Sequence, residues 1–364
     1  ERWFVPHFEK MLYDQAQIAA SYIEAFKVSN DAYYADVARA TLDYVLRDLA
    51  DPGGGFCCAE DADSPDPANP SHKREGAFYL WTADEIRATL GEPASARFMY
   101  QYGVQERGNV FYDPGREFAG RNILFEAHSV QDTARHFELD VEEMARSLAE
   151  SRAALLAARN ARPRPLRDDK VLVSWNGLTI SALAKAAAAF GEQKYLYAAR
   201  RAAAFITQRM YDSSAGTLVR RYRGGDAAHP GLLEDYAFFV QGLLDLDEAA
   251  PGDGVLDTAV RLTDKQLELF EDKDAGAFFG APPDPHLILR LKDDYDGAEP
   301  SGNSIAIANL LRLAARANRD DYREAAWRAL RAIGSRAATA PEAVPQLLAT
   351  IELAIETSGQ APRD

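Results

Sequence analysis

The stretch Arg167-Asp168-Asp169-Lys170-Val171-Leu172-Val173-Ser174-Trp175-Asn176-Gly177-Leu178 decides the fold. Four charged residues lead into an apolar run, and a Trp-Asn-Gly turn precedes the Ala- and Leu-rich segment from Leu178 to Phe190. An almost wholly apolar helix is typical of one buried on all sides. The pattern therefore predicts a chain that enters a concavity and then begins a buried helix, with Asn176 as its N-cap. An ordinary helix start behind an exposed charge cluster is the alternative.

Helices of this buried kind recur along the sequence, with amphipathic helices between them. Alternation of this sort predicts stacked helical hairpins, each with one inner and one outer helix. We therefore predict an all-α fold, an (α/α)6 barrel that occupies residues 1–364 as a single domain. An open solenoid is the alternative. The buried helices are predicted to begin near Asp14, Asn176, Leu232, Ser301 and Pro341, and residues 82–104 are a weaker sixth candidate.

Short strands are expected in the loops at the mouth of this barrel. Residues 77–81 and 217–223 have strand-like patterns, and residues 276–280 are predicted to pair with residues 286–291 as a hairpin. Thr82, with Glu85 three residues later, is a capping box that predicts the start of a short helix.

Composition limits the classes of partner. The net charge of −15 argues against nucleic acid, because phosphate backbones are bound by clustered Lys and Arg. An apolar run of about 18 residues, as a membrane span requires, is not seen, so no membrane partner is expected. Cys57 and Cys58 are adjacent, and two reduced thiols are expected, as in the cytoplasm. Glu1 falls inside a motif, so we expect the natural chain to begin earlier.

Polar clusters precede the predicted inner helices. Because stacked hairpins leave the inner helices parallel, their N-termini should converge on one mouth, and the clusters should face one cavity. The expected binding residues are His7, Glu9, Lys10, Tyr13, Asp14, Glu60, Arg167, Asp168, Lys170, Trp175, Asn176, Glu234, Tyr236, Tyr295, Ser301 and Asn303.

Carboxylates combined with aromatic side chains indicate a sugar site, because carboxylates accept hydrogen bonds from hydroxyls and aromatic rings stack on C–H faces. Paired carboxylates also cleave glycosides, one as acid and one as base. The simpler alternative is that several of these residues only cap helices. No metal is expected, since the calcium-loop spacing is absent, and no cofactor motif is seen. The candidate catalytic residues are Asp61, Asp63, Asp235, Asp296 and Glu299.

Five motifs resemble one known family, the thioredoxin-domain-containing proteins related to the spermatogenesis-associated thioredoxin-like protein. The resemblance implies a thioredoxin-like domain followed by an (α/α)6 barrel of the six-hairpin glycosidase type, with kinship to N-acylglucosamine and cellobiose 2-epimerases. This chain begins inside the first barrel motif and stops soon after residues 345–348, so the thioredoxin-like partner domain is expected to be absent here. The motifs are PHFEKMLYD (6–14), EDADS (60–64) with FYLWT (78–82), RDDKVLVSWNGL (167–178), LEDYAF (233–238) and DGAEPSGNS (296–304).

The leading hypothesis is a carbohydrate-active barrel that acts on a small sugar or an oligosaccharide. A sugar epimerase needs two acid–base groups flanking the ring, and His7 is the only histidine within a cluster, so a glycoside hydrolase is favoured. Lys10, Arg167 and Lys170 suggest a substrate with an acidic group. A non-catalytic module that binds a glycan or a protein client is the second hypothesis. A structural barrel without a ligand is the third.

Overall fold

The computed structural model describes residues 5–66, 69–113, 115, 117–252 and 254–358. Helices dominate this part of the chain, and the strands are short. The helices are α1 (Leu12–Ser29), α2 (Ala32–Tyr44), α3 (Ala83–Leu90), α4 (Ala94–Gln101), α5 (Val130–His136), α6 (Val141–Asn160), α7 (Val173–Phe190), α8 (Gln193–Arg209), α9 (Leu233–Ala249), α10 (Val255–Phe270), α11 (Gly302–Arg316), α12 (Asp320–Ile333), α13 (Ser335–Thr339) and α14 (Pro345–Ser358). The strands are β1 (Lys10–Met11), β2 (Ala59–Glu60), β3 (Asp63–Asp66), β4 (Asn69–Glu75), β5 (Arg167–Asp168), β6 (Val171–Leu172), β7 (Tyr211–Asp212), β8 (Thr217–Arg223) and β9 (Asp226–Pro230).

The described residues group into two compact units. The barrel unit comprises residues 11–59 and the described residues from Asp168 onward, and the inserted unit comprises the described parts of Glu1–Lys10 and Glu60–Arg167. One large apolar core fills the barrel unit, whereas the inserted unit has two smaller apolar clusters of its own. A single domain over residues 1–364 stays a prediction.

Helix α7 is the centre of the barrel unit. It packs against the inner helices α1 and α9 and against the outer helix α8. Small residues allow the close approach to α9, since a Cβ on Gly177 would lie 2.4 Å from the carbonyl carbon of Phe238. Likewise, a Cβ on Gly242 would lie 2.6 Å from the oxygen of Gly177. The predicted burial of this helix on most sides is confirmed.

Inner and outer helices alternate as predicted. The inner helices follow one another in space in the order α1, α7, α9, α11 and α14, and α2, α8, α10 and α12 pack on the outside. The outer helices are amphipathic because they bury one face only. In α12, for example, Tyr322, Ala326 and Leu330 are buried while Arg323 and Arg331 are exposed. The all-α class and the hairpin architecture of an (α/α)6 toroid are therefore confirmed.

The prediction of a sixth buried helix over residues 82–104 is wrong. Residues 82–104 contain the two short helices α3 and α4, which belong to the inserted unit and pack against α6. Helices α1 and α7 instead pack directly on each other. The capping box of Thr82 and Glu85 at the start of α3 is confirmed.

The strand predictions had mixed outcomes. Strand β8 occupies residues 217–223 as predicted and pairs with β6, β7 and β9. Residues 77–81 form a turn with one bridge from Trp81 to Asn122, so the predicted strand is wrong. The predicted hairpin of residues 276–280 with 286–291 is also wrong, because Gly280 N–H to Leu291 O is the one backbone hydrogen bond described between these segments.

Two asparagines of the inner helices make the same set of hydrogen bonds. The Asn176 side chain accepts from Phe56 N–H and donates to the carbonyls of Phe56 and Leu172. The Asn303 side chain accepts from Phe278 N–H and donates to the carbonyls of Phe278 and Asp293. Each asparagine therefore fixes the backbone that follows an outer helix.

These bonds correct the prediction for the start of α7. The helix begins at Val173, one turn earlier than expected, and Leu172 is its N-cap residue. Asn176 lies inside the first turn, where its amide group binds the Phe56 segment instead of capping the helix. At the start of α11, by contrast, the Ser301 hydroxyl accepts from Asn303 N–H, so capping by Ser301 is confirmed.

Candidate functional site

The first turns of the inner helices meet at one end of the barrel unit, and we call this end the mouth (Tyr13, Asp14, Trp175, Glu234 and Glu299). The rings of Tyr13 and Trp175 are in edge-to-face contact, with centroids 4.8 Å apart. The Trp175 side chain also hydrogen bonds to Glu299, and because indole only donates, Glu299 accepts this bond. Four separate elements, α1, α7, α9 and the loop before α11, therefore contribute to the mouth.

Asp235 is buried beneath the mouth. Its carboxylate accepts hydrogen bonds from Ser174 N–H at 3.0 Å and from Leu232 N–H at 2.9 Å, and it lies 3.2 Å from Arg220 Nη1. The side chain has no solvent exposure. Burial raises the pKa of Asp235 to about 6, although the charge of Arg220 opposes this rise. A carboxylate held in this way stabilises the start of α9.

Asp296, another candidate catalytic residue, is bound on both oxygens by backbone groups. One oxygen accepts from Ser301 N–H at 2.7 Å, and the other accepts from Gln346 N–H at 2.8 Å and Leu347 N–H at 3.2 Å. It thus caps the start of α14, where the helix dipole favours a negative charge. The geometry indicates a structural role for Asp296.

Among the carboxyl groups at the mouth, Glu299 lies in an environment that favours its protonated form. It is half-buried, and burial raises its pKa above the ordinary range. The hydrogen bond from Trp175 and the charge of Arg220 lower the pKa, whereas the charges of Glu234 and Asp14 raise it. Arg220 Nη1 lies 2.7 Å from the Glu234 carboxylate, and the two side chains form an ion pair at the mouth.

A cavity of about 550 Å³ lies along the axis of the barrel unit, and we call it the axial cavity. The loop that carries Glu299 contributes Asp296, Gly297 and Pro300 to its wall. The Gln17 side chain donates to Ala298 O at 2.9 Å, which fastens this loop to α1. The remaining lining residues are Ala16, Gln17, Ala20, Ser21, Glu24, Leu178, Ser181, Lys185, Gln241, Ile305, Pro345 and Gln346.

Gln241, in the wall of the axial cavity, has one hydrogen-bond acceptor for which the described residues supply no donor. Its Oε1 atom is buried and has no hydrogen-bond partner within the described part of the chain. An unsatisfied buried acceptor costs about 1–3 kcal/mol. A ligand hydroxyl in the axial cavity would remove this cost.

The polar residues along the inner helices that line the axial cavity were not among the predicted site residues. Gln17, Ser21 and Glu24 lie at helical spacing on one face of α1, and Ser181 and Lys185 do so on α7. A polar stripe on a helix otherwise patterned for burial was the available signal. It indicates a face that lines a cavity instead of packing.

Several predicted binding residues are engaged in the fold. Tyr236 is buried, and its hydroxyl accepts from Leu218 N–H at 2.9 Å, so it offers no stacking face. Asn176 and Asn303 are fully buried with their amide groups in use, and Ser301 is 2% exposed. Their geometry indicates structural roles. Tyr295, in contrast, is 54% exposed.

Two predicted residues at the end of β5 and just after it form a local ion pair, since Lys170 Nζ contacts the carboxylate of Asp168. Both side chains are about one-third exposed. The Lys170 carbonyl also accepts a hydrogen bond from Cys58 N–H at 2.9 Å. Cys57 and Cys58 are buried free thiols, and burial raises the pKa of Cys58 to about 12.

The other predicted residues, His7, Glu9, Lys10, Glu60, Asp61, Asp63 and Arg167, belong to the inserted unit. Glu60 is buried there, 3.3 Å from the Tyr79 hydroxyl and 3.7 Å from Arg164. Lys10 donates to Phe8 O at 2.7 Å, and burial lowers its pKa. His7 and Asp61 are exposed, and Asp63 begins β3.

Within the described ranges, no three His, Cys, Asp or Glu side chains are grouped so that they could hold a metal ion. None of the helices in this part of the chain combines the length and apolar character that crossing a membrane requires.

Solved structures with a similar arrangement of helices include sugar-active enzymes. Cellobiose 2-epimerase from Spirochaeta thermophila is 11% identical, with a TM-score of 0.44 over 90% of this chain and 74% of that protein. A family 105 glycoside hydrolase of C. acetobutylicum is 12% identical, with a TM-score of 0.43 over 91% and 78%. A D-mannose isomerase is 13% identical, with a TM-score of 0.42 over 88% and 76%. At these values the likeness assigns no activity to this chain.

Curated relatives are much closer in sequence. Spermatogenesis-associated protein 20 of Homo sapiens is 40% identical over 380 residues, which covers 99% of this chain and 48% of that protein. An uncharacterized protein of Caenorhabditis elegans is 35% identical, over 95% of this chain and 49% of that protein. No family model matches the chain, so the thioredoxin-like domain stays a prediction. The chain spans about half the length of the curated relatives it matches, and it is a homologue of spermatogenesis-associated protein 20.

Proposed function

We propose that the barrel unit binds a saccharide in the axial cavity and hydrolyses its glycosidic bond at the mouth. The observation that carries the proposal is the axial cavity, whose wall contains the unsatisfied Gln241 acceptor and part of the loop that carries Glu299 of the mouth. Sugars need hydrogen-bonding partners for their hydroxyls and flat apolar surfaces for their C–H faces. Gln17, Gln241 and Gln346 supply the first, and Trp175 with Tyr13 supplies the second.

Glu299 is the proposed general acid. A raised pKa keeps a carboxyl group protonated closer to neutral pH, as proton donation to a leaving group requires. Glu299 would protonate the glycosidic oxygen as the bond to the anomeric carbon breaks. Glu234 or Asp14 would take the proton from the attacking water, and their negative charges already act on Glu299.

Hydrolysis is favoured over epimerisation by the side chains available. Moving a proton from one face of a sugar carbon to the other needs two groups with pKa values near neutrality. The described residues that line the axial cavity include no histidine. His7, the histidine considered from the sequence, belongs to the inserted unit.

A second candidate function is saccharide binding without catalysis. The engagement of Asp235 and Asp296 by backbone N–H groups favours it, because two predicted catalytic carboxylates serve the fold. The two candidates differ at Glu299. If the protein only binds a saccharide, Glu299→Gln should leave saccharide binding unchanged. If the protein is a hydrolase, Glu299→Gln should abolish most of the turnover.

The test is a thermal-shift screen of neutral, amino and acidic sugars and of short oligosaccharides, followed by mass spectrometry on each sugar that stabilises the protein. Hydrolysis requires a stabilising oligosaccharide that is cleaved. A stabilising sugar returned unchanged supports the binding module. Absence of any shift across the panel argues against a saccharide ligand of either kind.

A further inference from the structure

Lys185 stands at the inner end of the axial cavity. A second cavity of about 610 Å³ opens at the other end of the inner helices, and both cavities are lined by Lys185 and Glu24. The Lys185 ammonium lies 3.5 Å from the carboxylate of Glu24. This ion pair between α7 and α1 therefore forms the floor that the two cavities share.

Lys185 is the weaker of two partners for Glu24. Lys27 approaches the same carboxylate to 2.7 Å. Burial acts to raise the pKa of Glu24, but the hydrogen bond from Lys27 and the charge of Lys185 outweigh it and keep the pKa below its ordinary range. Glu24 thus stays ionised. If Lys185 binds another anion instead of Glu24, Glu24 still has Lys27 as an ion-pair partner.

The other carboxylate on the wall of the axial cavity, Asp296, is held by backbone groups. Both oxygens of Asp296 accept from backbone N–H groups at the start of α14. Of the described residues that line the axial cavity, Lys185 alone carries a positive charge. The three side chains Glu24, Lys27 and Lys185 together carry one excess positive charge, and of the two lysines only Lys185 lines the axial cavity.

We propose that Lys185 recognises a single anionic group on the saccharide, namely the carboxylate of a hexuronic acid. This inference rests on the proposed saccharide site. A carboxylate carries one negative charge, which matches the excess charge of the Glu24–Lys27–Lys185 cluster. A phosphate monoester carries nearly two at neutral pH and would leave part of its charge unpaired beside Glu24.

The experiment compares the dissociation constants of matched pairs, glucuronate with glucose and galacturonate with galactose, by titration calorimetry. The wild-type chain should bind at least one uronate about 10- to 100-fold more tightly than its hexose, as expected for a charge-assisted hydrogen bond. Lys185→Met keeps most of the side-chain length and should remove this preference. Lys185→Arg should retain it, and Glu24→Gln should strengthen uronate binding.

Lys273→Met is the matched control, because Lys273 is an exposed lysine in the turn after α10. Circular dichroism confirms that each variant is folded. Equal affinity for uronate and hexose in the wild-type chain overturns the inference and leaves the saccharide site standing. A preference that survives Lys185→Met, or that Lys273→Met removes equally, also overturns it. Binding of no sugar in the panel contradicts the saccharide site itself, so the two failures are distinguishable.

Discussion

The carboxylate of Asp235 on α9 accepts a hydrogen bond from the backbone N–H of Ser174 on α7 at 3.0 Å. The first turns of two inner helices are thus joined by one buried side chain. Arg220 lies on the other side of the carboxylate, 3.2 Å away. Asp235 therefore holds together the part of the barrel unit from which Trp175 and Glu234 project toward the mouth.

Removal of this carboxylate should destabilise the chain strongly. Asp235→Ala leaves two backbone N–H groups and the Arg220 guanidinium without their acceptor, and breaking a buried pair in this way costs about 3–5 kcal/mol. The measurement is the free energy of unfolding from urea denaturation. Asp226→Ala, at an exposed ion pair in the β8–β9 hairpin, should cost less than about 1 kcal/mol. Similar losses in both variants would contradict the assigned role.

Asp235 should also give stability a specific pH dependence. Burial raises its pKa from 3.8 to about 6, so between these values the folded state retains a proton that the unfolded chain has released. Stability from this group is present below pH 4 and falls as the pH rises to 6, by about 2–3 kcal/mol. Denaturation of the wild type and of Asp235→Asn at pH 4, 5, 6 and 7 measures it. Parallel stability curves for the two chains would refute the prediction.

Glu299→Gln tests the proposed acid. The amide cannot donate the proton that the leaving group needs, and turnover of a cleaved oligosaccharide should fall about 10²- to 10⁴-fold while the fold persists. In the wild type, activity should fall as the pH rises through the elevated pKa of Glu299, since the acid must be protonated. Mass spectrometry of products across a pH series gives both results. Glu268→Gln, on the exposed face of α10, is the control and should keep full turnover.

Gly177→Ala should disrupt the contact between α7 and α9. The added Cβ would lie 2.4 Å from backbone atoms of Phe238, so one helix must shift. Overpacking of this kind costs about 1–3 kcal/mol or more, and we expect a loss at the upper end of this range because backbone cannot rotate away. Thermal denaturation measures the loss. Gly280→Ala should be nearly neutral, since its Cβ would meet only Leu291 O at 3.7 Å.

The two asparagine bridges should be equivalent in energy. Asn176→Ala and Asn303→Ala each remove three hydrogen bonds to buried backbone groups, and each should cost about 2–4 kcal/mol. Urea denaturation of both variants measures this, with Asn160→Ala at the exposed end of α6 as the control. A loss below 1 kcal/mol in either variant would contradict the equivalence.

The hairpin architecture was predictable because the degree of burial of a helix determines how many of its faces are apolar. Leu178 to Phe190 is apolar on most sides and Asp320 to Ile333 on one side only, and this difference is visible along the sequence. The prediction of a sixth inner helix was wrong because residues 82–104 have a weak pattern, and short helices in a small separate unit share such a pattern. Their assignment depends on contacts distant in sequence.

The roles of the polar residues depended on tertiary structure. Asp235, Asp296 and Glu299 look alike as acidic residues before inner helices, yet two of them accept backbone N–H groups from other segments and the third lies at the mouth. The sequence by itself determined where the inner helices lie and that carboxylates gather at their starts, because periodic burial is a local property. Only the tertiary structure decided which carboxylates serve the fold and which side chains line the axial cavity. Hydrogen-bond partners and cavity walls come from segments far apart in the chain.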